Sequence, residues 1–287
     1  MTDLHIIWFQ SDLRVHDQAA LRGACMSAAR DGGAVLALAI LPGRETLSQL
    51  HYDALTDLRE ALAVRDVALH IRYGEAFDVL SELHHKHRIV SLHCHEPHDP
   101  SAFDRRLEAW TLRGGIALRT YPQFRLSAYA GEDSWLSFVS RPRLEAPEIP
   151  AAANVGIGAW PSDPESSNAE TAPRQGRKRA IGILRSFLPS AHRPDDSKDA
   201  VTGENAFAEL ETYLRLGTVS VREVWQAAQS ARHQYLAAKL DTRAVNVERF
   251  LSALQAFACQ NERKPVRNRK ISEGGQLSLD LRPSDVA

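Results

Sequence analysis

The alternation of apolar runs with amphipathic stretches along residues 5–121 is the feature that most narrows what this chain can become. Strands are expected at His5–Phe9, Ala34–Leu41, Val67–Tyr73, Ile89–His93 and Ile116–Tyr121, each a short run of largely apolar residues. Between them the period changes to that of a helix. His51, Leu55, Leu58 and Leu62 fall on one face, and Phe103, Leu107 and Trp110 on another. Five strands joined by right-handed helical crossovers predict an α/β fold, a doubly wound, five-stranded, mainly parallel, Rossmann-like sheet covered on both faces. Such sheets take their ligands outside the carboxyl ends of the strands.

At the carboxyl end of the first strand stands a polar connection, "FQSDLRVHDQ", in which Gln10, Ser11, Asp12, Arg14, His16 and Asp17 crowd together. A plain strand-to-helix link needs only about two to six residues, so this run asks what it holds. Phe9, Gln10, Asp12 and Arg14 are candidates for a nucleotide-like chromophore. The same groups also fit a structural role, with Asp17 capping the next helix and Arg14 pairing with a carboxylate. His93, His95 and His98 in "HCHEPHD" raise a metal hypothesis. No second cluster with zinc spacing accompanies them, and no metal is expected.

Residues 1–130 thus read as the α/β domain. Residues 131–176 read as a linker, mobile in part, because Pro147, Pro150, Pro161, Pro164 and Pro173 stand among Ala, Ser, Gly and Asn. From 177 to 260 the helical period returns in Ile181, Leu184, Phe187 and Leu188, in Phe207, Leu210 and Leu214, and in Val245, Phe250, Leu254 and Phe257. Ser220 with Glu223 three residues on has capping-box spacing and sets a helix start. Residues 261–287 lack a core period and read as a basic, disordered tail. With 287 residues, 44% of them hydrophobic, the chain can bury two cores, and its formal charge of -1 requires any nucleic-acid surface to be local. Cys25, Cys94 and Cys259 lie far apart. Without a signal peptide or an apolar run of membrane-spanning length, they read as reduced thiols in a cytoplasmic protein with no membrane partner.

"IIWFQSDLRVHDQAAL" resembles the N-terminal signature of the photolyase/cryptochrome family, hydrophobic-W-F-R-x-D-L-R-L-x-D-x-x-A-L. Trp8, Phe9, Asp12, Leu13, Arg14, Asp17, Ala20 and Leu21 match it, and Gln10 replaces the usual arginine. "YLRLGTVSVREVW", Tyr213 to Trp225, resembles the family's "YLRFGTLSPREVW", so the likeness runs from residue 4 to about 258. The resemblance implies an α/β domain with an antenna chromophore, then a helical domain that binds FAD and splits pyrimidine dimers in DNA as a light-dependent deoxyribodipyrimidine photo-lyase.

Two departures weigh against that full activity. The helical domain reads as truncated, and the part expected to be missing builds most of the family's flavin cavity and dimer pocket. The second departure is chemical. Where the family has T-S-x-L-S-P, whose hydroxyls donate to the flavin pyrophosphate, this chain has Phe207, Ala208, Glu209, Leu210, Glu211 and Thr212. A carboxylate about 4 Å from a phosphate costs roughly 4 kcal/mol at an effective dielectric near 20. FAD or an antenna chromophore is implied by the resemblance, yet flavin binding in the family manner looks lost.

Other segments suggest partners. "RQGRKRAIGILR" and "ERKPVRNRK" make Arg177, Lys178, Arg179, Lys264, Arg267 and Lys270 candidates for phosphate contact with DNA. Trp135, Trp160 and Trp225 are of the type that stacks bases, although Trp225 falls in a helix and reads as core. "GGQLSLDL" resembles the Gln-Leu-x-Leu-x-Leu peptide that binds the bacterial DNA sliding clamp, assigning that role to Gln276, Leu277, Leu279 and Leu281. The expectation is a shortened photolyase-like, DNA-repair-associated protein that binds DNA or the clamp without full catalysis. The alternatives are a light-dependent lyase with FAD and a chromophore- or nucleotide-binding sensor.

Overall fold

The computed structural model of the chain describes residues 2–43, 47–96, 103–122, 132–156, 158–162, 175–188 and 202–259. Five strands, β1 (Leu4–Phe9), β2 (Ala34–Leu41), β3 (Leu69–Tyr73), β4 (Ile89–His95) and β5 (Ala117–Tyr121), form one sheet in the order β3-β2-β1-β4-β5. Every pairing is parallel, for instance Ile7 beside Ala37 and His93. β1 is buried along its whole length and β2 along nearly all of it, which is why "LHIIWF" and "AVLALAIL" read as runs without strict polar alternation. Fully buried Ile6, Ile7, Leu36 and Leu38 each contribute about 2 kcal/mol through removal from water.

The crossovers divide between the faces. α1 (Ala19–Asp31) and α2 (Gln49–Ala63) cover one face with Leu21, Ala24, Leu55, Leu58 and Leu62. α3 (Ala76–Lys86) and α4 (Phe103–Gly114) cover the other with Leu80, Leu83, Leu107 and Trp110. The expected periodicity holds at Leu55, Leu58 and Leu62, but His51 is exposed in the first turn of α2. There its Nδ1 meets the hydroxyl of the helix cap Ser48 at 3.1 Å. The strand order reverses between β1 and β4, so the ligand crevice expected of this fold lies at their carboxyl ends.

Helices α5 (Glu132–Ser140), α6 (Arg177–Phe187), α7 (Gly203–Arg215), α8 (Val221–Ala237) and α9 (Asp241–Cys259) build a second core around Leu210, Val224, Tyr235, Phe250 and Leu254. Val245, expected to face that core, is 50% exposed, and Ala244 and Val247 take its place. The stretch expected to be a linker is more built than its prolines suggest. Its helix α5 buries Trp135 against Trp225 at 5.0 Å, so Trp135 is core and not open to a base. Residues 151–153 then pair with Val35 beside the start of β2, and His70, Arg72 and Tyr73 hold the carbonyls of Val155, Gly156 and Ala159. Among the described residues no helix is long and apolar enough to cross a membrane.

Candidate functional site at the domain junction

The polar loop after β1 turns inward. Asp12 is 1% exposed, and its carboxylate accepts from Gln10 N at 2.7 Å, Gln18 Nε2 at 2.7 Å and His95 Nδ1 at 2.7 Å. Burial opposes ionisation of Asp12. The hydrogen bonds from His95, Gln10 and Gln18 outweigh it and hold the carboxyl below its ordinary range. Because an ionised carboxylate only accepts, the proton of the His95 ring sits on Nδ1. Gln18, not Asp17, caps α1, its amide oxygen accepting from Ala20 N at 3.2 Å.

Arg14 is also buried, and its expected carboxylate partner is replaced by carbonyls. Nη1 donates to Gly217 O at 3.0 Å and Nη2 to Asp17 O at 3.1 Å, while Leu13 N donates to Leu216 O at 3.1 Å. Leu216 and Gly217 form the turn between α7 and α8, where Gly217 has φ 66 and a side chain would be strained. Asp17 leaves its own helix altogether. Its carboxylate accepts from Ser220 Oγ at 2.6 Å, Arg222 Nη1 at 2.9 Å and Leu144 N at 3.1 Å. Ser220 also caps α8 by accepting from Glu223 N at 2.9 Å. The loop is therefore a latch joining sheet, linker and helical region.

Glu223, which capping-box spacing would send back toward Ser220, instead holds Arg177 in a fork at 2.6 and 3.0 Å. Arg177 Nη1 also donates to Thr218 O at 2.8 Å. Of the basic candidates on α6, Arg177 is thus committed internally, while Lys178 and Arg179 are exposed. Phe9 is buried in the core beneath the latch, Gln10 is half-buried, and Trp160 lies under the Arg59 guanidinium at 3.9 Å. His98 and the tail candidates Lys264, Arg267, Lys270, Gln276, Leu277, Leu279 and Leu281 lie outside the described residues.

The sequence reading missed a second polar system. On the α1-facing side of β4, Ser91, His93 and His95 alternate with Leu92 and Cys94, which face α3 and α4. Ser91 Oγ lies 2.7 Å from His5 Nδ1 and 2.9 Å from His93 Nε2, and His93 Nδ1 lies 2.9 Å from Tyr121 Oη. His5 Nε2 is 3.8 Å from the Asp31 carboxylate. That acceptor favours a proton on His5 Nε2, which aligns the row as Tyr121 donating to His93, His93 to Ser91, and Ser91 to His5. Burial, reinforced by His5, Arg119 and Arg30, pushes the His93 pKa down to about 4. The period of two on β4 was the available signal. Among the described residues no group of three His, Cys, Asp or Glu is placed to hold a metal ion.

The geometry defines a Rossmann-like α/β domain whose first loop locks onto the α7–α8 turn of a helical region. Residues 5–122 match the family model described as DNA photolyase. The blue-light photoreceptor PHR2 of Arabidopsis thaliana is 22% identical over 268 residues, 77% of this chain and 59% of that protein. A class III photolyase from Agrobacterium tumefaciens superposes with a TM-score of 0.58 at 21% identity, over 90% of this chain and 59% of that one. A Synechocystis sp. PCC6803 cryptochrome gives 0.61 at 16% identity, over 89% and 62%. These likenesses give the chain the fold of the photolyases and cryptochromes, with the family model confined to the α/β domain. The chain spans about three-fifths of the length of these relatives.

Proposed function

We propose that the chain is a DNA-associated module of the photolyase/cryptochrome family, working in repair or replication without the family's full photochemistry. The observation that carries this reading is the state of α7, where the family motif would present hydroxyls to a flavin pyrophosphate. Phe207 instead packs edge-on against Phe250 and Phe257, at 6.2 and 5.8 Å between rings, and Glu211 pairs with Arg215 at 2.9 Å. An apolar ring and a carboxylate offer a dianionic linkage no donors. The purified chain should therefore carry no stoichiometric flavin. Absorbance in the flavin bands, followed by denaturation and chromatography, reads this directly, and one flavin per chain would overturn it in favour of the light-dependent lyase.

DNA contact falls on Lys178 and Arg179, exposed at the start of α6, together with Lys264, Arg267 and Lys270 of the tail. The tail's Gln276, Leu277, Leu279 and Leu281 add a clamp-binding peptide to the same reading. Two buried leucines contribute roughly 3 to 6 kcal/mol before the tail's ordering cost, so the peptide alone should bind at about micromolar strength. Calorimetry of the full chain against a bacterial sliding clamp should give one site, lost in the Leu279→Ala, Leu281→Ala double variant. No heat with the unaltered chain would remove the clamp from the proposal and leave DNA contact to be tested by itself.

A further inference from the structure

We propose that the groove between α2 and α6 is the face on which two copies of this chain pair about a two-fold axis. The two helices touch at the start of α6, where a Cβ on Gly176 would fall 2.2 Å from the Asp57 carboxylate. They have parted by Gly182, where a Cβ would meet nothing within 4 Å. The groove that opens between them holds about 550 Å³ and is floored by Ala61, Val64, Ile181 and Gly182. It lies on the side of α2 turned from the sheet, against which the same helix packs Leu55, Leu58 and Leu62.

Two features of this groove go unexplained by the packing of a single chain. Val64, the C-cap of α2, is a β-branched apolar residue left 82% exposed. Gly182 stands in the interior of α6, where glycine is less favourable than alanine, and no described residue occupies the space its missing side chain leaves. A second copy accounts for both, since Val64 projects from the rim of its own groove and has the size to fill the space over Gly182 of the other. The rims select this occupant. Asp57 and Glu60 stand on the α2 side, Lys178 and Arg185 on the α6 side, and the two cations are exposed with no carboxylate in ion-pair contact among the described residues. In an isologous contact each interaction occurs twice, so α2 of one copy seated in the groove of the other carries Glu60 toward Lys178 and Arg185 on both sides of the axis. A groove of one charge would repel its own copy, whereas one acidic wall and one basic wall attract it. The four helices then pack as one bundle with Ala61 and Val64 at its centre.

The test is sedimentation velocity of the full chain over a concentration series, without nucleic acid, so that the result is read apart from DNA contact. A monomer to dimer equilibrium of roughly ten-micromolar strength is expected. Val64→Glu should weaken it more than about tenfold, at a position exposed enough for the monomer to fold as before. Gly182→Leu fills the groove and should abolish association while the melting temperature of the dilute protein holds or rises, because leucine is the better helix former. A residue with a purely structural role would not set stability and association in opposition. Glu60→Lys and the Lys178→Glu, Arg185→Glu double variant should each stay monomeric alone, and their equimolar mixture should pair as the unaltered chain does, both rims being matched again. A chain monomeric at about half-millimolar concentration, association undiminished by Val64→Glu or Gly182→Leu, or a mixture that fails to pair would each overturn the assignment.

Discussion

A neutral imidazole enclosed in a folded protein is a source of acid sensitivity, and His93 supplies one. It is 1% exposed, and burial, with His5, Arg119 and Arg30 adding to it, lowers its pKa to about 4. Burial lowers His5 as well, although Asp31 opposes the shift. In the unfolded chain both rings protonate near 6.5, so between that pH and about 4 the unfolded state binds more protons than the folded one. Stability should be whole above about pH 6.5 and fall as the pH drops toward 4, by about 3 kcal/mol from His93. Thermal melts in a pH series would measure this, and His93→Gln should flatten the profile while lowering stability at neutral pH. Asp12 loses stability in the same direction, but lower on the scale, because its hydrogen bonds hold its carboxyl below the ordinary range. Asp12→Ala leaves the buried His95, Gln18 and Gln10 N without their acceptor and should cost about 3 kcal/mol at neutral pH. An unchanged melting temperature would show that this carboxylate is not a structural anchor.

At the scale of elements, two helix positions carry the consequences. α1 lies so close over the histidine row that a Cβ on Gly23 would fall 1.9 Å from Tyr121 Oη, a contact that only displacement of the helix or the ring relieves. Gly23→Ala should therefore destabilise by about 2 kcal/mol, against the small gain an alanine brings to an ordinary helix interior. α8 is held twice by one hydroxyl, since Ser220 caps it and donates to Asp17. Ser220→Ala should cost about 2 kcal/mol, and a double-mutant cycle between Asp17 and Arg222 should give a coupling above about 1 kcal/mol. The strands of the α/β domain were legible because buried parallel strands impose continuous apolar runs, and all five begin and end within two residues of expectation. Ser220 was legible as a cap for the same reason, a local rule read locally. The partners of Asp17 were not, because Leu144, Ser220 and Arg222 are distant in sequence and no spacing rule joins them. Asp17 itself has φ 49 and lies outside the helix it was expected to cap.

For the whole molecule, the latch decides which basic residue is committed to the junction. The sequence presents Arg177, Lys178 and Arg179 as one run, and nothing in their order tells them apart. The fold does, because Arg177 turns toward Glu223 and the Thr218 carbonyl at the junction of the two cores. The three should then behave differently. Reversing Lys178 and Arg179 to glutamate should weaken every DNA duplex alike and flatten the salt dependence by about one to two phosphate contacts, with the melting temperature little changed. Arg177→Gln should do the opposite. It leaves Glu223 without its cation in a half-buried setting, at a cost of about 1 to 3 kcal/mol in stability, while the salt dependence of DNA binding stays as it was. Binding isotherms across a salt series, beside thermal melts of the same proteins, separate the two effects. A salt slope that changes as much for Arg177→Gln as for the double reversal would place Arg177 on the DNA and require the junction to open when the chain binds. An affinity untouched by either substitution would move the whole electrostatic contact to Lys264, Arg267 and Lys270.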